Sequence, residues 1–568
     1  MGQYPNSKVE LQNAVNQAIA AGHFAEAEYL LEKLRNLYGN QPDFCYINAY
    51  LLFQLEKYEA AILQANSAIE MKTKLNAEAY QLIGFAQRNL LNYREAITAL
   101  EMANALALQE KCLKESDFVG RNYLSLGQSY LYVGDINKAK AAYLAASSFL
   151  LERREKCEAY SSYLLCLHYD STVADEQLFA EHCKYKNLLS GKKPLCVSAN
   201  SPKKKIRVAY ISPDFRRHVM CFFYQAFLRN YDKESFEVYC YCLNQEDEIT
   251  LQFKHLVNQW RNLKGLASDE AAQIIYQDEI DILIDLAGHS ANNALSILQY
   301  KPALVQISGL GYFDTTGLNE VDYFLTDRFV DPVGQHDAYF TEKLFRLSHS
   351  HFCYKPWDDN PPVKLAPCLN NGHITFGCFN KYAKITDEAM QIWGVILNSV
   401  QGAKLILKSM VYINQDICDE AGKRLERHGI ARDRIEFRVA NDHYMEEFND
   451  VDIMLDTFPY PGGGITCDAL YMGVPVITME GKRHGARFGY SILCNAGLAE
   501  LTAKTKEAYI EKAIGLAKDT ELIDILHRNL RNMMIASPLM DADLYMQEIE
   551  AFYKKVILEK WGEFYGKK

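Results

Sequence analysis

A glycine-rich loop between residues 452 and 468 contains the residue types that hold a charged ligand. Gly462, Gly463 and Gly464 follow a short apolar run, and the pattern predicts a helix that begins near Ile465. Glycines let the backbone approach a ligand closely because they have no Cβ. Free N–H groups at a helix start, together with the helix dipole, favour an anion. We therefore predict that this loop binds a diphosphate.

Asp468 lies in the first turns of the predicted helix. A carboxylate repels phosphate, but it accepts hydrogen bonds from ribose hydroxyls. The strand, the loop and the helix together favour a site for a sugar nucleotide. The alternative is an ordinary turn between a strand and a helix, because glycine-rich turns are common in α/β domains.

Lys384 and His218 are the candidates for catalytic groups. Lys384 follows a predicted strand and precedes a predicted helix, where its ammonium group can neutralise charge that builds on a departing diphosphate. The alternative is a surface lysine, but a cation is unfavourable at a helix start. His218 follows Asp214 at the start of another predicted helix. A neutral imidazole there can orient an acceptor, accept its proton or contact the donor sugar.

These candidates need a scaffold that brings them together, and the chain after residue 206 predicts parallel α/β sheets. Apolar runs alternate with helical stretches, which is typical of such sheets. Two series of runs, separated near residues 356–367, predict two Rossmann-like lobes with a cleft between them. Ligands in these folds bind beyond the carboxyl ends of strands. The predicted strands are 207–212, 236–242, 280–286 and 305–310, then 374–378, 404–407, 435–437, 452–455 and 474–478.

The first third of the chain contains a repeat. Phe24 stands three positions before Ala27, and the same spacing recurs at intervals of about 34 residues, before Ala61 and Ala96, and once more before Ala139. This is the period of the tetratricopeptide repeat, a pair of helices that touch at small residues. The longer last interval predicts an insertion near residues 110–116. Generic helical hairpins are the alternative.

The composition is that of an ordinary globular protein and excludes several classes. The 568 residues carry a net charge of −11, which argues against nucleic acid as the main partner. No apolar run is long enough for a membrane span, and no secretory signal is recognisable, so we expect a cytoplasmic protein. The 15 cysteines include no CxxC pair, so we expect free thiols and no zinc site.

Several motifs, in this order, resemble the O-GlcNAc transferases and their bacterial relatives, including the plant-type SPINDLY O-fucosyltransferases. The resemblance extends from the repeats to about Asp519. It implies a GT-B fold and an inverting, metal-independent enzyme with a nucleotide-sugar donor and a protein acceptor. The motifs are YSSYLLCLHYD at 160–170, SPDFRRHV at 212–219, DLAGHS at 285–290, KPALVQISGLGY at 301–312 with TTG at 315–317, FNKYAKI at 379–385 with Trp393, and DALYMGVPV at 468–476.

The resemblance also assigns roles to single residues. Lys384 matches the essential lysine of the family, and His218 matches its histidine at the sugar and acceptor site. His443 matches a histidine beside the base and ribose, or else it is a helix-start residue without a ligand. His289 follows a predicted buried strand and is either a further site residue or a structural histidine. The other donor-binding candidates are Thr315, Thr316 and Lys381.

This chain departs from the family pattern at the donor site. Where the family has Asn-Gly followed by threonines, the chain has the three glycines and Ile465, and only Thr466 and Asp468 keep their register. Backbone N–H groups then replace part of the hydroxyl contacts to phosphate. Lys381 stands where the animal enzymes have glutamine. Phe313 and Asp314 replace Pro-Gly, and Asp314 could accept hydrogen bonds from a sugar.

A basic cluster after the 474–478 run, formed by Arg483, His484 and Arg487, either contacts the diphosphate or pairs with surface acids. The predicted organisation is tetratricopeptide-like repeats over 1–151, a helical connector and linker over 152–205, an acceptor-side lobe over 206–365, a nucleotide-sugar lobe over 366–540 and a C-terminal helix over 541–568.

The predicted function is transfer of a sugar, GlcNAc from UDP-GlcNAc, to Ser or Thr of a polypeptide that the repeats recognise, without a metal or other cofactor. Three alternatives stay open: O-fucosyl transfer from GDP-fucose, N-glucosyl transfer from UDP-glucose, and a repeat scaffold that no longer catalyses. Association into a homo-oligomer also stays open.

Overall fold

The protein was analysed as a computed structural model, which describes residues 7–109, 117–189, 191, 193–195 and 205–565. The insertion expected near 110–116 and residues 196–204 of the expected connector and linker lie outside the described residues. The chain divides into two units, Met1–Tyr163 and Leu164–Lys568. Each unit is described by itself.

The first unit is built of helices that pair along the chain. Two of its helix contacts need glycine: a Cβ on Gly84 would lie 2.5 Å from Leu100 Cγ, and one on Gly127 would lie 2.7 Å from the Tyr143 ring. The helical hairpins of the repeats are therefore confirmed. The helices are α1 Lys8–Ala20, α2 Phe24–Tyr38, α3 Pro42–Gln54, α4 Tyr58–Glu70, α5 Asn76–Asn89, α6 Tyr93–Ala107, α7 Asp117–Tyr132 and α8 Ile136–Phe149.

Helix α9, Arg153–Leu167, begins in the first unit and ends in the second, and α10, Asp175–Lys184, follows it. The division between the units falls inside α9, at Tyr163, whereas the repeats were expected to end at residue 151. Among the described residues, no helix is both long enough and apolar enough to cross a membrane.

The second unit contains two parallel sheets, which confirms the two predicted Rossmann-like lobes. The first sheet has the strand order β3-β2-β1-β4-β5-β6-β7 and the second has the order β10-β9-β8-β11-β12-β13. The strands are β1 Ile206–Ser212, β2 Phe236–Cys242, β3 Gln259–Asn262, β4 Ile282–Asp285, β5 Val305–Gly309, β6 Tyr323–Asp327, β7 Lys343–Leu347, β8 Thr375–Cys378, β9 Lys404–Lys408, β10 Ile435–Arg438, β11 Ile453–Leu455, β12 Val476–Met479 and β13 Thr502–Ala503.

Helices cover these sheets and one apolar core runs through both lobes. The last helix, α23, packs against α11 of the first lobe. The helices are α11 Cys221–Arg229, α12 Glu248–Lys254, α13 Ser268–Gln277, α14 Leu295–Leu298, α15 Cys368–Asn371, α16 Asp387–Ser399, α17 Gln415–Arg427, α18 Tyr444–Glu447, α19 Gly464–Tyr471, α20 Phe488–Asn495, α21 Lys506–Ala517, α22 Thr520–Ile535 and α23 Ala542–Tyr565.

The basic cluster after β12 joins the two lobes through acidic partners. His484 Nδ1 lies 2.6 Å from the buried carboxylate of Asp331, and His336 Nδ1 lies 2.7 Å from its other oxygen. Arg483 pairs with Asp175 at 2.9 Å and Arg487 with Glu480 at 3.0 Å. Of the two interpretations of this cluster, the structure favours pairing with acids, and it places His484 and Arg487 inside the protein.

Asp331 is the centre of this junction between the lobes. Burial opposes its ionisation, but His484 and His336, with the hydroxyl of Thr326, hold its pKa well below the usual value. A depressed carboxyl pKa stabilises the fold at neutral pH, and this stabilisation is lost as the pH falls through the folded-state pKa.

We expect Asp331→Ala to lower the free energy of unfolding by about 3 kcal/mol at neutral pH, because two buried histidines lose their partner. Urea titration at several pH values measures this, and the difference from wild type should shrink in acid. Asp433→Ala, at an exposed position, is the control and should change stability by less than about 0.5 kcal/mol. Equal stability of Asp331→Ala and wild type at neutral pH would contradict the prediction.

Candidate active site

A cleft of about 670 Å³ lies between the lobes and collects several of the predicted residues. The first lobe contributes His218, Val219 and Phe222 at the start of α11. The second lobe contributes residues of α18 and α19, beyond the carboxyl ends of β10 and β11. The segment that joins the lobes adds aromatic side chains. Its lining includes His443, Tyr444, Ile465 and Asp468 from the second lobe and Tyr354 and Trp357 from the joining segment.

The glycine loop ends at the start of α19, close to the predicted position. Gly463 is the N-cap, and its carbonyl accepts from the N–H groups of Thr466 and Cys467 at 3.1 and 3.2 Å. Among the described residues, the N–H groups of Gly463, Gly464 and Ile465 donate to no protein acceptor. Such orphan donors at a helix start form an anion site. Thr466 itself is buried beneath the loop.

Gly462 differs from the prediction, because its N–H donates to Asp456 at 2.7 Å and is not free for phosphate. The need for glycine at this position is steric. A Cβ there would lie 2.6 Å from Thr466 Oγ1, and a Cβ on Gly464 would lie 2.6 Å from Val219 Cγ2 in the first lobe. Gly462 therefore shapes the loop, and Gly464 lets α11 approach it.

Asp456, directly after β11, holds the start of the glycine loop, and the sequence analysis did not single it out. Besides Gly462, its buried carboxylate accepts from the N–H of Thr457 at 2.9 Å, from Asn380 at 3.2 Å and from Thr478 at 2.7 Å. Burial raises its pKa, and these donors and the charge of Lys384 oppose the shift. Its signal in the sequence was an acidic residue at the end of a buried strand.

The prediction for Lys384 is that it stabilises a leaving diphosphate, and in the structure this lysine lies against the glycine loop. It follows β8 in a short 3₁₀ turn, Tyr382–Lys384. Its Nζ donates to Pro461 O at 2.7 Å and lies 3.6 Å from the centre of the Tyr460 ring. Burial lowers the pKa of Lys384 to about 7; Asp456 opposes this shift and Lys381 adds to it.

His218 faces the cleft next to Asp214. Its Nδ1 lies 3.6 Å from Asp214 Oδ1, and its side chain is 37% exposed. Burial lowers the pKa of His218, although Asp214 opposes the shift, and the charges of Arg216 and Lys381 lower it further. A neutral imidazole at this position can accept a proton. The exposed Lys381 thus acts electrostatically on both catalytic candidates.

Asp468 lines the cleft, and two tyrosines that the sequence analysis did not single out hold it. Tyr354 donates to one carboxylate oxygen at 2.6 Å and Tyr444 donates to the other at 2.8 Å. Burial raises the pKa of Asp468 to about 6, and the two hydroxyls oppose the shift. The exposed His443 precedes Tyr444 at the rim. Only its neighbour His443 pointed to Tyr444 in the sequence, and nothing pointed to Tyr354.

His289, Thr315 and Thr316 do not line the cleft, and their part in donor binding stays a prediction. All three are buried. His289 Nε2 lies 3.0 Å from Thr316 O, and its ring packs edge-on against Tyr185. Thr315 Oγ1 donates to the buried Glu342 at 2.6 Å, and the Thr316 N–H donates to the same carboxylate at 2.8 Å. Of the two interpretations of His289, the structure favours the structural one.

Asp314 is not part of the cleft lining either. Its Oδ2 lies 3.6 Å from His168 Nε2, and burial raises its pKa to about 7 against the opposing N–H of Thr315. With His182, these two residues form a group of metal-ligand type whose ligand atoms lie within 4.8 Å of one another. The Tyr312 hydroxyl lies 2.8 Å from His182 Nε2 and 3.3 Å from His168 Nε2. The Tyr312 hydroxyl thus joins the two histidines by hydrogen bonds, and Asp314 lies beside His168.

Two Rossmann-like lobes, a helix start with free donors and a lysine beside it define a glycosyltransferase of the GT-B type. Residues 152–358 and 366–549 match the model of Glycosyl transferase family 41. The chain belongs to this family, so the resemblance drawn from its motifs is confirmed.

Curated relatives and a solved structure agree with this family. The chain is 35% identical over 405 residues to the probable UDP-N-acetylglucosamine–peptide N-acetylglucosaminyltransferase SPINDLY of Hordeum vulgare, which covers 69% of the chain and 43% of that protein. It is 28% identical over 402 residues to the corresponding SEC protein of Arabidopsis thaliana, with 66% and 40% covered. The chain therefore spans less than half the length of these relatives.

The solved structure is a mutant of the O-GlcNAc transferase of Thermobaculum terrenum. It is 27% identical to the chain, with a TM-score of 0.80, and the match covers 91% of this chain and 98% of that one. This likeness includes the helical repeats as well as the lobes, and it confirms the predicted fold class of tetratricopeptide repeats followed by a GT-B fold.

Proposed function

We propose that the protein transfers a sugar from a nucleotide sugar to a Ser or Thr hydroxyl of a polypeptide, with inversion and without a metal ion. The first candidate donor is UDP-GlcNAc, because the names of the SPINDLY and SEC relatives contain it and the solved relative is an O-GlcNAc transferase. Acceptor proteins would be cytoplasmic and would be recognised by the repeats.

The observation that carries this proposal is the position of Lys384 on the glycine loop. Its ammonium group and the free N–H groups of Gly463, Gly464 and Ile465 adjoin the same segment. Together they supply positive charge where a departing diphosphate gains negative charge, and preorganised donors of this kind are effective in a buried site. The protein groups alone can therefore stabilise the leaving group.

The remaining cleft residues have complementary roles. His218 would align the acceptor hydroxyl and accept its proton, which direct displacement at the sugar carbon requires. Asp468, oriented by Tyr354 and Tyr444, would accept hydrogen bonds from the ribose. His443 at the rim would contact the base.

GDP-fucose is the second candidate donor, and acidic residues in the cleft lining support it. Asp359, Asp442 and Glu446 line the cleft. Carboxylates accept hydrogen bonds, and guanine offers an N–H group and an amino group on one edge, whereas uracil offers a single N–H. UDP-glucose with an asparagine acceptor remains the third candidate.

Thermal unfolding in EDTA separates these donors. We expect one nucleoside diphosphate to raise the melting temperature in the absence of metal, because Lys384 and the helix start supply the positive charge. Binding at 100 times the dissociation constant stabilises a protein by about 2.7 kcal/mol. UDP, GDP and ADP are compared with and without Mg²⁺. A shift that appears only with Mg²⁺ would contradict the metal-free proposal.

Transfer itself is tested with UDP-GlcNAc, GDP-fucose and UDP-glucose, each labelled in the sugar, and a lysate of the host cell. We expect label in protein with one donor, and its release by alkaline β-elimination if the acceptor is Ser or Thr. Label that resists β-elimination would indicate transfer to asparagine. A protein that binds a nucleotide but transfers no sugar would be the inactive scaffold.

A further inference from the structure

The ring of Tyr460 is the point where three segments of the second unit meet near Lys384. Lys384 Nζ lies 3.6 Å from the ring centre. The Phe313 ring, from the loop after β5, lies 4.3 Å from it, and the Tyr169 ring, from the turn after α9, lies 5.5 Å from it. Tyr460 itself lies within the loop between β11 and the glycines.

We propose that Tyr460 is a positioning residue for Lys384: its ring holds the ammonium group against the glycine loop in the orientation that receives the donor diphosphate. This inference rests on the proposed function. The face of an aromatic ring attracts a cation, and the attraction grows when water is excluded. The ring face of Tyr460 therefore gives the Lys384 ammonium group a directional contact, and this group must hold a defined position to meet the diphosphate.

Two consecutive residues hold the same ammonium group. Tyr460 offers its ring, and Pro461 accepts a hydrogen bond from Nζ at 2.7 Å. A lysine side chain has many rotamers, and fixing it costs conformational entropy. The ring and the carbonyl restrict Nζ before the donor arrives, so less entropy remains to be lost in the complex.

Phe313 and Tyr169 in turn hold the ring. Phe313 is buried, and Gly485 is the reason that it fits, since a Cβ there would lie 2.6 Å from the Phe313 ring. The Tyr460 ring thus packs against side chains from the first lobe and from the turn after α9. A change in any of these segments would move the surface on which Lys384 rests.

The charged and titratable groups that face Lys384 are Asp456, Lys381 and the thiol of Cys378. Burial is the largest influence and lowers the pKa of the lysine, while Asp456 opposes this and Lys381 reinforces it. The Tyr460 ring contributes to that burial because it covers one side of Nζ. Removing the ring admits water, which favours the charged lysine, and it also removes the attraction of the ring, which favours the neutral lysine. Because burial is the largest influence on this pKa, we expect the first effect to exceed the second and the pKa of Lys384 to rise.

The test compares Tyr460→Leu with Tyr460→Phe. We expect Tyr460→Leu to lower kcat about tenfold or more, with a smaller change in KM, and to move the alkaline limb of the pH profile to higher pH. Tyr460→Phe keeps the ring face and should stay within about twofold of wild type. Tyr490→Leu is the control, because Tyr490 packs under Arg487 at 4.8 Å and is not in contact with Lys384.

A positioning role is overturned if Tyr460→Leu keeps the kcat and the pH profile of wild type, or if Tyr460→Phe is as impaired as Tyr460→Leu. Competitive labelling of Lys384 with acetic anhydride across pH reports its pKa without any substrate. A raised pKa in Tyr460→Leu alone supports the proposal even if wild type transfers no sugar, which would overturn only the proposed function. An unchanged pKa would overturn the inference itself.

Discussion

Lys384→Ala is expected to reduce sugar transfer at least about 100-fold, which is the scale measured when a preorganised group that stabilises developing charge is removed. The ammonium group lies on the glycine loop, where it contacts Pro461 O and the Tyr460 ring. Without it, the leaving diphosphate keeps only backbone donors. The fold should persist, because burial already disfavours the charged form of this lysine and lowers its pKa to about 7.

Initial rates with saturating donor and acceptor measure the effect, and the melting temperature checks the fold. Lys404→Ala is the matched control. Lys404 is an exposed lysine on β9 of the same lobe, and it begins its strand, so it lies at the opposite edge of the sheet from the glycine loop. Lys404→Ala should keep wild-type rates. Wild-type turnover in a folded Lys384→Ala variant would remove Lys384 from the mechanism.

Removal of residues 1–151 is expected to reduce transfer to intact protein about 100-fold or more while nucleotide binding persists. The donor cleft is lined by residues of the second unit only. A second contact on the acceptor makes its docking to the cleft intramolecular, and effects of this size follow from the gain in effective concentration. The repeats are the part of the chain that can offer such a contact.

The comparison uses a short synthetic peptide, an intact protein acceptor and the nucleotide in parallel. A short synthetic peptide should be glycosylated at similar rates by the full chain and the fragment, and the nucleotide-induced shift in melting temperature should be equal. The fragment keeps α9 but loses Leu150, which packs with Ala159 of that helix, so solubility and a cooperative unfolding transition are required controls. Equal rates on the intact protein acceptor would assign the repeats to another task.

Local sequence patterns predicted most strands of the two sheets and part of the site. All nine predicted strands exist, because a buried parallel strand needs an uninterrupted apolar run. The pattern failed where this need is absent: β3 is largely exposed, β13 has two residues, and the five residues of β7 include Lys343 and Arg346. β6 was missed although Tyr323–Asp327 is largely apolar and buried.

Some features of the site could likewise be predicted from the sequence, and others could not. The sequence was enough to predict that a glycine-rich helix start, Lys384 and Asp468 follow strands of one lobe, since order along the chain and strand direction place them at one edge of a sheet. Order along the chain does not say which side chain is buried or which partner it meets.

The tertiary structure alone sets the hydrogen-bond partners of these groups. It turned Thr315 and Thr316 to Glu342, gave the N–H of Gly462 to Asp456, and set Tyr354 and Tyr444 on Asp468. Apart from the contact of Gly462, these contacts join positions at least 24 residues apart in the chain. Because a buried polar group must find a partner wherever packing brings one, the packing of the whole second unit determined which residues remained for the ligand.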